Sequence, residues 1–239
     1  ILYSSNATYL YKPLPGEEKD ESQNASQSLA VNAGGPIIKD KLWYFTSLQM
    51  NLSLYTPLVP EEVQRPVPMQ TRSWKSAYIF GKLTWKPHPN HQIWAHAQLD
   101  PTSIDNADGS VYTLPSGEYL WKQGGWIASV GHMWVPSRST ILETQAYVQQ
   151  SYLNYSSMWD DCDDYAERTG NNERCEDVGW FAYDPDGFNA GIHPYDYNSR
   201  RQRSSLSTKL TQYADFLGSH ELKLGAQGEF MSSYSALPN

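Results

Sequence analysis

Leu206-Ser207-Thr208-Lys209-Leu210-Thr211-Gln212-Tyr213-Ala214-Asp215-Phe216, then Leu217-Gly218-Ser219-His220, then Glu221-Leu222-Lys223-Leu224-Gly225-Ala226-Gln227-Gly228-Glu229-Phe230, is the stretch that decides the fold. In its first arm Leu206, Thr208, Leu210, Ala214 and Phe216 alternate with Ser207, Lys209, Thr211, Tyr213 and Asp215. In its second arm Leu222, Leu224, Ala226, Gly228 and Phe230 alternate with Glu221, Lys223, Gln227 and Glu229. A period of two places alternate side chains on opposite faces of a strand, so this is a hairpin with one apolar face. Its other face carries charges of both signs.

The same unit recurs upstream. Leu42, Tyr44, Thr46, Leu48, Met50, Leu52 and Leu54 alternate with Phe45, Ser47, Gln49, Asn51 and Ser53. They follow a turn at Ile38-Lys39-Asp40-Lys41 and an arm over 25–36. Segments 77–85 and 92–99 flank Lys86-Pro87-His88-Pro89-Asn90-His91, whose prolines cannot continue a sheet ladder. Segments 121–135 and 141–150 flank Pro136-Ser137-Arg138-Ser139. Longer polar connections run over 56–72, 100–118 and 157–199. Tight turns and long loops therefore alternate, which predicts about eight antiparallel strands in up-and-down order.

Tight turns at one end and long loops at the other are the asymmetry of an outer-membrane barrel, whereas a soluble sandwich spaces its turns more evenly. The expected fold is all-β, an antiparallel up-and-down transmembrane β-barrel segment with 1–239 forming part of one barrel domain. Composition agrees. Aromatics make up 13%, with 17 Tyr and 9 Trp against 6 Phe, and Tyr and Trp favour membrane interfaces. Only 18% of residues are charged and the mean hydropathy is −0.62, which suits strands with one wet face. On composition alone a soluble, aromatic-rich β-sandwich remains compatible. Trp43 and Tyr44, Trp85, Trp134, and Tyr152 with Tyr155 stand where strands leave the apolar band. They suit interfacial girdles, with core packing the alternative for one or two of them.

The net charge of −8 argues against non-specific nucleic-acid binding. No apolar run reaches the ~18 residues of a transmembrane helix, which leaves barrel strands untouched. The chain opens at Ile1-Leu2-Tyr3 without an initiator Met and closes at Leu237-Pro238-Asn239 without a closing strand. The expectation is an internal stretch of a longer protein, cut at both ends, with an open sheet.

Gly34-Gly35-Pro36-Ile37-Ile38-Lys39-Asp40-Lys41-Leu42-Trp43-Tyr44-Phe45 resembles the GGPI-x-KDKL-aromatic signature of TonB-dependent receptors, especially the Oar-like group with a carboxypeptidase-regulatory-like domain upstream. Gly34 and Gly35 would allow close backbone approach and Pro36 would end the strand. Lys39, Asp40 and Lys41 would form the wet periplasmic turn. The strand end Lys82-Leu83-Thr84-Trp85 and the hairpin from Ser207 to Gly225 are also similar to that family. The resemblance implies a Gram-negative outer-membrane barrel of about 22 strands around a plug. Its partners would be outer-membrane lipid, lipopolysaccharide, the plug domain and the TonB complex. The plug, the TonB-contacting segment and the closing strands do not occur in these residues.

Cys162 and Cys175 are the only cysteines, and export would favour their oxidation to a disulfide; a zinc site lacks paired histidines at ligand spacing. Acidic stretches around them, with Asp184-Pro185-Asp186-Gly187 and Asp105-Asn106-Ala107-Asp108-Gly109, read as Asx turns and solvated loop tips; Ca²⁺ binding is the rival. Trp180, Phe181, Tyr183, Phe188, Tyr195 and Tyr197, with Tyr165, make the longest loop aromatic. Such residues either contact an extracellular ligand or pack the loop's own small core. Arg200, Arg201 and Arg203 form a basic run suited to lipopolysaccharide phosphates. The six histidines are scattered, and Gly124-Gly125 precedes no helix that could bind phosphate.

No nucleophile–base pair, cofactor motif or metal motif emerges, so an enzyme is not expected. Three functions compete: energised uptake of a ligand, a passive porin-like channel, and a non-transport surface or secretion-associated barrel.

Overall fold

The computed structural model describes residues 2–6, 23–159, 162–169, 182–184, 186–192 and 196–236. In chain order these form β1 (Leu2–Asn6), β2 (Gln23–Ile38), β3 (Leu42–Thr56), β4 (Arg72–His88), β5 (His91–Leu99) and β6 (Thr102–Asp105). There follow β7 (Tyr119–Ser137), β8 (Thr140–Ser157), a short helix α1 (Cys162–Thr169), β9 (Ala182–Tyr183), β10 (Asn189–Ala190), β11 (Tyr197–Asp215) and β12 (Ser219–Ala236). The main sheet runs β1-β2-β3-β4-β5-β7-β8-β11-β12, with every pairing antiparallel. The chain is thus all-β with up-and-down order. Among the described residues the sheet is open, with β1 and β12 at its edges.

The hairpin that began the reading forms in the expected register, with Leu206 opposite Gly228 and Leu210 opposite Leu224. Its turn places Leu217 at φ 54° and Gly218 at φ 129°. Three other tight turns share a device. Register shifts lie between Pro36 and Ile38, between Trp85 and His88, and between Trp134 and Ser137. Each shift spans or adjoins a proline (Pro36, Pro87, Pro136), whose missing N–H is accommodated by the irregularity. Pro36 therefore does not end its strand. Gly34, Gly35 and Pro36 lie within β2, opposite Phe45, Tyr44 and Trp43, and the turn itself is Lys39–Lys41. A Cβ on Gly34 would stand 3.1 Å from the Phe45 ring and from the Tyr44 carbonyl, so this approach does favour glycine.

Strands run longer than the sequence reading gave them, as in β8, which reaches Ser157 rather than 150, and two departures have a clear cause. β4 starts at Arg72, because Arg72, Ser73 and Lys75 pair through their backbones with β3 whatever their side chains. Position 100 breaks the strand but does not begin the loop. After Asp100-Pro101, β6 resumes in the same place between β4 and β7.

Directly paired residues in an antiparallel sheet share a face. One face carries Leu48, Ile79, Leu99 and Trp126 in one hydrogen-bonded row and Tyr44, Leu83, Ala95, Val130, Ala146 and Leu206 in another. The other face carries Phe45, Lys82, His96, Ser129, Tyr147, Ser205 and Glu229 in one row. On the polar face Ser129, Ser199, Ser205 and Thr211 are buried, while Val130, Leu206, Leu224 and Phe230 stand exposed on the apolar one. Crowding on one side and opening on the other marks a sheet curved toward its polar face. Trp94 reinforces the curve by lying over Gly131, where an added Cβ would fall 2.1 Å from the indole.

The apolar run is oblique to the hydrogen-bonded rows. One row connects Leu42, Trp85, Ile93, His132, Thr144, Thr208 and Ala226. On β3 it touches the lower end of the run from Leu42 to Leu54, whose middle is Leu48, six residues higher. On β12 it crosses the middle of the run from Leu222 to Phe230, at Ala226 itself. Over six strand spacings the run shifts by six residues, or one per strand. At ~3.3 Å per residue and ~4.8 Å between strands, a flat apolar layer would be crossed at a tilt of about 35°.

All three long connections lie at the end opposite the tight turns. They pack together as a cap with two small cores. Val67, Leu114, Phe188 and Ala190, with Val63, form one; Tyr165 and Ile192, with Trp159 and Cys162, form the other. Among the described residues every buried large hydrophobic belongs to this end of the molecule, and none lies under the apolar face.

Candidate functional site

The polar face holds two kinds of surface. On β8, β11 and β12 polar side chains are tied to one another. Lys209 Nζ donates to Glu143 at 3.0 Å, Arg203 to Glu229 at 2.6 Å, and Lys223 pairs with Glu221 at 3.0 Å. The Tyr147 hydroxyl also donates to Glu229 (3.2 Å) and the Tyr213 hydroxyl to Glu221 (3.0 Å). On β2–β4 a ladder links Ser28, Asn51 and Ser76 at 2.9 and 3.3 Å.

Toward the loop end the same face opens into a recess of about 380 Å³. Trp74 and Tyr78 border it on β4; Gln98, Gln123 and Gln149 project from β5, β7 and β8. Gly125 lies at its floor, opposite Ser151. A Cβ there would come 2.2 Å from the Gln150 carbonyl oxygen, so the close backbone approach requires glycine and leaves the floor bare. Above the recess stands an aromatic row. Trp121 packs edge-on against Tyr155 at 5.0 Å, and Tyr155 stacks on Tyr197 at 5.3 Å.

The cap closes over this end. Arg65 donates to the carbonyls of Val111 and Thr113 (2.9 Å to Thr113) and lies 5.9 Å from the Phe188 ring centre. The Leu114 amide donates to Asn189 O at 2.8 Å and the Asn189 amide to Tyr112 O at 2.7 Å, joining the second and third loops. Glu118, 1% exposed, is a buried carboxyl of this region. One oxygen accepts the Asp108 N–H at 3.1 Å, and the other has no hydrogen-bond partner among the described residues. Burial, reinforced by the negative charge of Asp108, pushes its pKa up to about 7.

The sequence-derived candidates separate. Phe188 is 6% exposed and packs the cap's core, while Tyr183 is 75% exposed. Tyr197 joins the aromatic row of the polar face. Trp180, Phe181 and Tyr195 lie outside the described residues. Arg200 is on the apolar face, paired with Tyr152 and Tyr234, while Arg201 and Arg203 are on the polar one. Consecutive strand residues must diverge in this way, so the run does not act as one patch. Parity likewise splits the proposed girdle: Tyr44, Trp85, Trp134 and Tyr152 are on the apolar face, Trp43 and Tyr155 on the polar face. Cys162 is disulfide-bonded, and Cys175, the chain's other cysteine, lies outside the described residues. Asp184 accepts the amides of Asp186 (2.9 Å) and Phe188 (2.8 Å) as an Asx turn does. Among the described residues no group of three or more His, Cys, Asp or Glu side chains is placed to hold a metal ion.

Trp74, Gln98, Gln123 and Gln149 were not singled out from the sequence. The available signal was Gly124-Gly125 inside a strand, which marks a close backbone approach. No family model, curated protein or solved structure matches the chain.

Proposed function

We propose that this sheet is part of the wall of a β-barrel in the outer membrane of a Gram-negative bacterium. Its apolar face meets lipid and its polar face lines a ligand path. The observation that carries the reading is the oblique apolar run, which shifts one residue per strand. Membrane barrels tilt their strands by ~35–45° against a flat hydrocarbon layer, and this sheet's pattern calls for about 35°. A soluble sheet has no planar layer to match, and it would cover Leu83, Val130, Leu224 and Phe230 with a second layer of its own. The run from Ala77 to Trp85 would then span roughly 22 Å of a band ~25 Å tall. Tyr44, Trp85 and Trp134 would sit at the turn-side interface, and Trp126, Tyr152 and Tyr234 at the loop-side one.

Within that class the resemblance at 34–45 favours energised uptake by a TonB-dependent receptor of the Oar-like group. A plug domain and the TonB complex would supply the coupling, and lipopolysaccharide would surround the loop-side rim. The test is reconstitution of the full-length protein into lipid vesicles, with strand tilt measured by polarised infrared spectroscopy. Alkali-resistant insertion with a tilt near 35–45° is expected; protein left in the supernatant would overturn the reading. Uptake by intact cells that stops when the inner membrane is de-energised separates a receptor from a passive channel.

A further inference from the structure

We infer that the Gly125-floored recess binds an uncharged, polyhydroxylated ligand, a saccharide, stacked against Trp74 and Tyr78. This deepens the transport reading, since it rests on the polar face being the ligand-bearing one. Three observations carry it. The first is the state of the polar groups. Several side chains on this face bond to each other, as in Lys209–Glu143, Arg203–Glu229 and Ser28–Asn51. Around the recess, among the described residues, the amides of Gln98, Gln123 and Gln149 make no hydrogen bond within the chain, nor do the Trp74 indole N–H and the Tyr78 hydroxyl. Each glutamine offers donors and an acceptor, which is what a rim of hydroxyls uses.

The second is the pairing of those amides with aromatic side chains. Trp74 and Tyr78 are 39% and 45% exposed, on the same face of β4 and about 13 Å apart at a strand's rise. Their rings supply apolar surfaces for the C–H faces of two non-adjacent sugar rings of one oligosaccharide, while the glutamines come from the three neighbouring strand positions across the sheet. The third is charge. The recess is lined by one carboxylate, Asp100, and by no cation, which disfavours an anionic ligand. Arg201 and Arg203, paired with Ser151 and Gln149, line an adjoining hollow of about 360 Å³ that shares those two residues with the recess. The recess itself lies within the size range of small-molecule sites, ~300–1,000 Å³.

The experiment is calorimetric titration of the full-length protein in detergent. The probes are maltotriose, cellotriose and mannotriose, with trigalacturonic acid as the acidic counterpart. At least one neutral trisaccharide should bind, and more tightly than the acid. Trp74→Ala should weaken it by about tenfold or more, and Gln123→Ala with Gln149→Ala should do the same. Arg201→Ala should leave neutral binding unchanged. No neutral binding at millimolar concentration, binding of the acid alone, or binding untouched by Trp74→Ala overturns the assignment. Vesicle insertion of the same preparations separates the outcomes: protein that inserts but takes no neutral saccharide defeats this inference and leaves the membrane reading standing.

Discussion

Val130 and Ser129 are consecutive in β7, yet Val130 is 49% exposed in an apolar row and Ser129 is buried in a polar one. In a sheet whose apolar face packs a core, the exposures would be reversed. The comparison extends to the whole sheet, since the crowded concave face is hydrophilic and the open convex face is built of Leu, Val, Ile, Ala and Trp. On the proposed membrane reading, a strand's period of two lets one chain satisfy two solvents at once, with lipid outside. The polar face then divides again. Ion pairs tie side chains together on β8, β11 and β12, and the recess toward the loops keeps, among the described residues, unpaired amides and open aromatic rings.

The first contrast is broken most forcefully by placing a charge at mid-band. Val130→Arg should cost roughly 2–4 kcal/mol of folding stability in vesicles, read by urea titration. Ser129→Thr on the neighbouring position should change little. A small effect of Val130→Arg would mean that the convex face is not in hydrocarbon.

An effect of intermediate size separates the cap from the sheet. The Glu118 carboxyl is raised from 4.5 to about 7 in the folded protein, so the folded state binds the extra proton between those values. Stability of the cap is therefore full below about pH 4.5, falls as pH rises through about 7, and is level above that. By linkage the loss is at most about 3 kcal/mol. Hydrogen exchange of residues 106–118 across this range should show the fall, and Glu118→Gln should flatten it. Unaltered pH dependence in the variant would assign the effect to another group.

The smallest effect lies in the paired half of the polar face. Lys209 and Glu143 are both about half exposed, and such pairs contribute less than about 1 kcal/mol. Lys209→Gln should barely move the urea midpoint, which would place the value of these pairs in setting the register of β8 against β11 rather than in overall stability. A shift as large as that of Val130→Arg would contradict this.

Much of the fold was legible because hydrogen-bonded strands need only alternation and turn residues to declare themselves. The 206–230 hairpin, the turn at 39–41 and the up-and-down order all follow from that. Prolines were read as stopping the ladder, but Pro36, Pro87 and Pro136 sit inside strand ends, where a register shift absorbs the missing donor. The Asp100-Pro101 break likewise marked an interruption within one strand position, not the start of a loop. The basic run at 200–203 seemed a patch in one dimension and is split by parity in three. Phe188 is legible as aromatic but not as core, because burial there depends on two other loops supplying Val67 and Leu114.

By itself the sequence determined the two-faced strands, their order, and which end carries the tight turns, since these are local or nearest-neighbour properties of the backbone. The tertiary structure decided what lies side by side across the sheet. Trp74, Gln98, Gln123 and Gln149 come from four strand positions, and only the register of those strands brings them around one glycine. The same register reveals the drift of the apolar run by one residue per strand. No single strand contains that drift, because a tilt is a relation between strands.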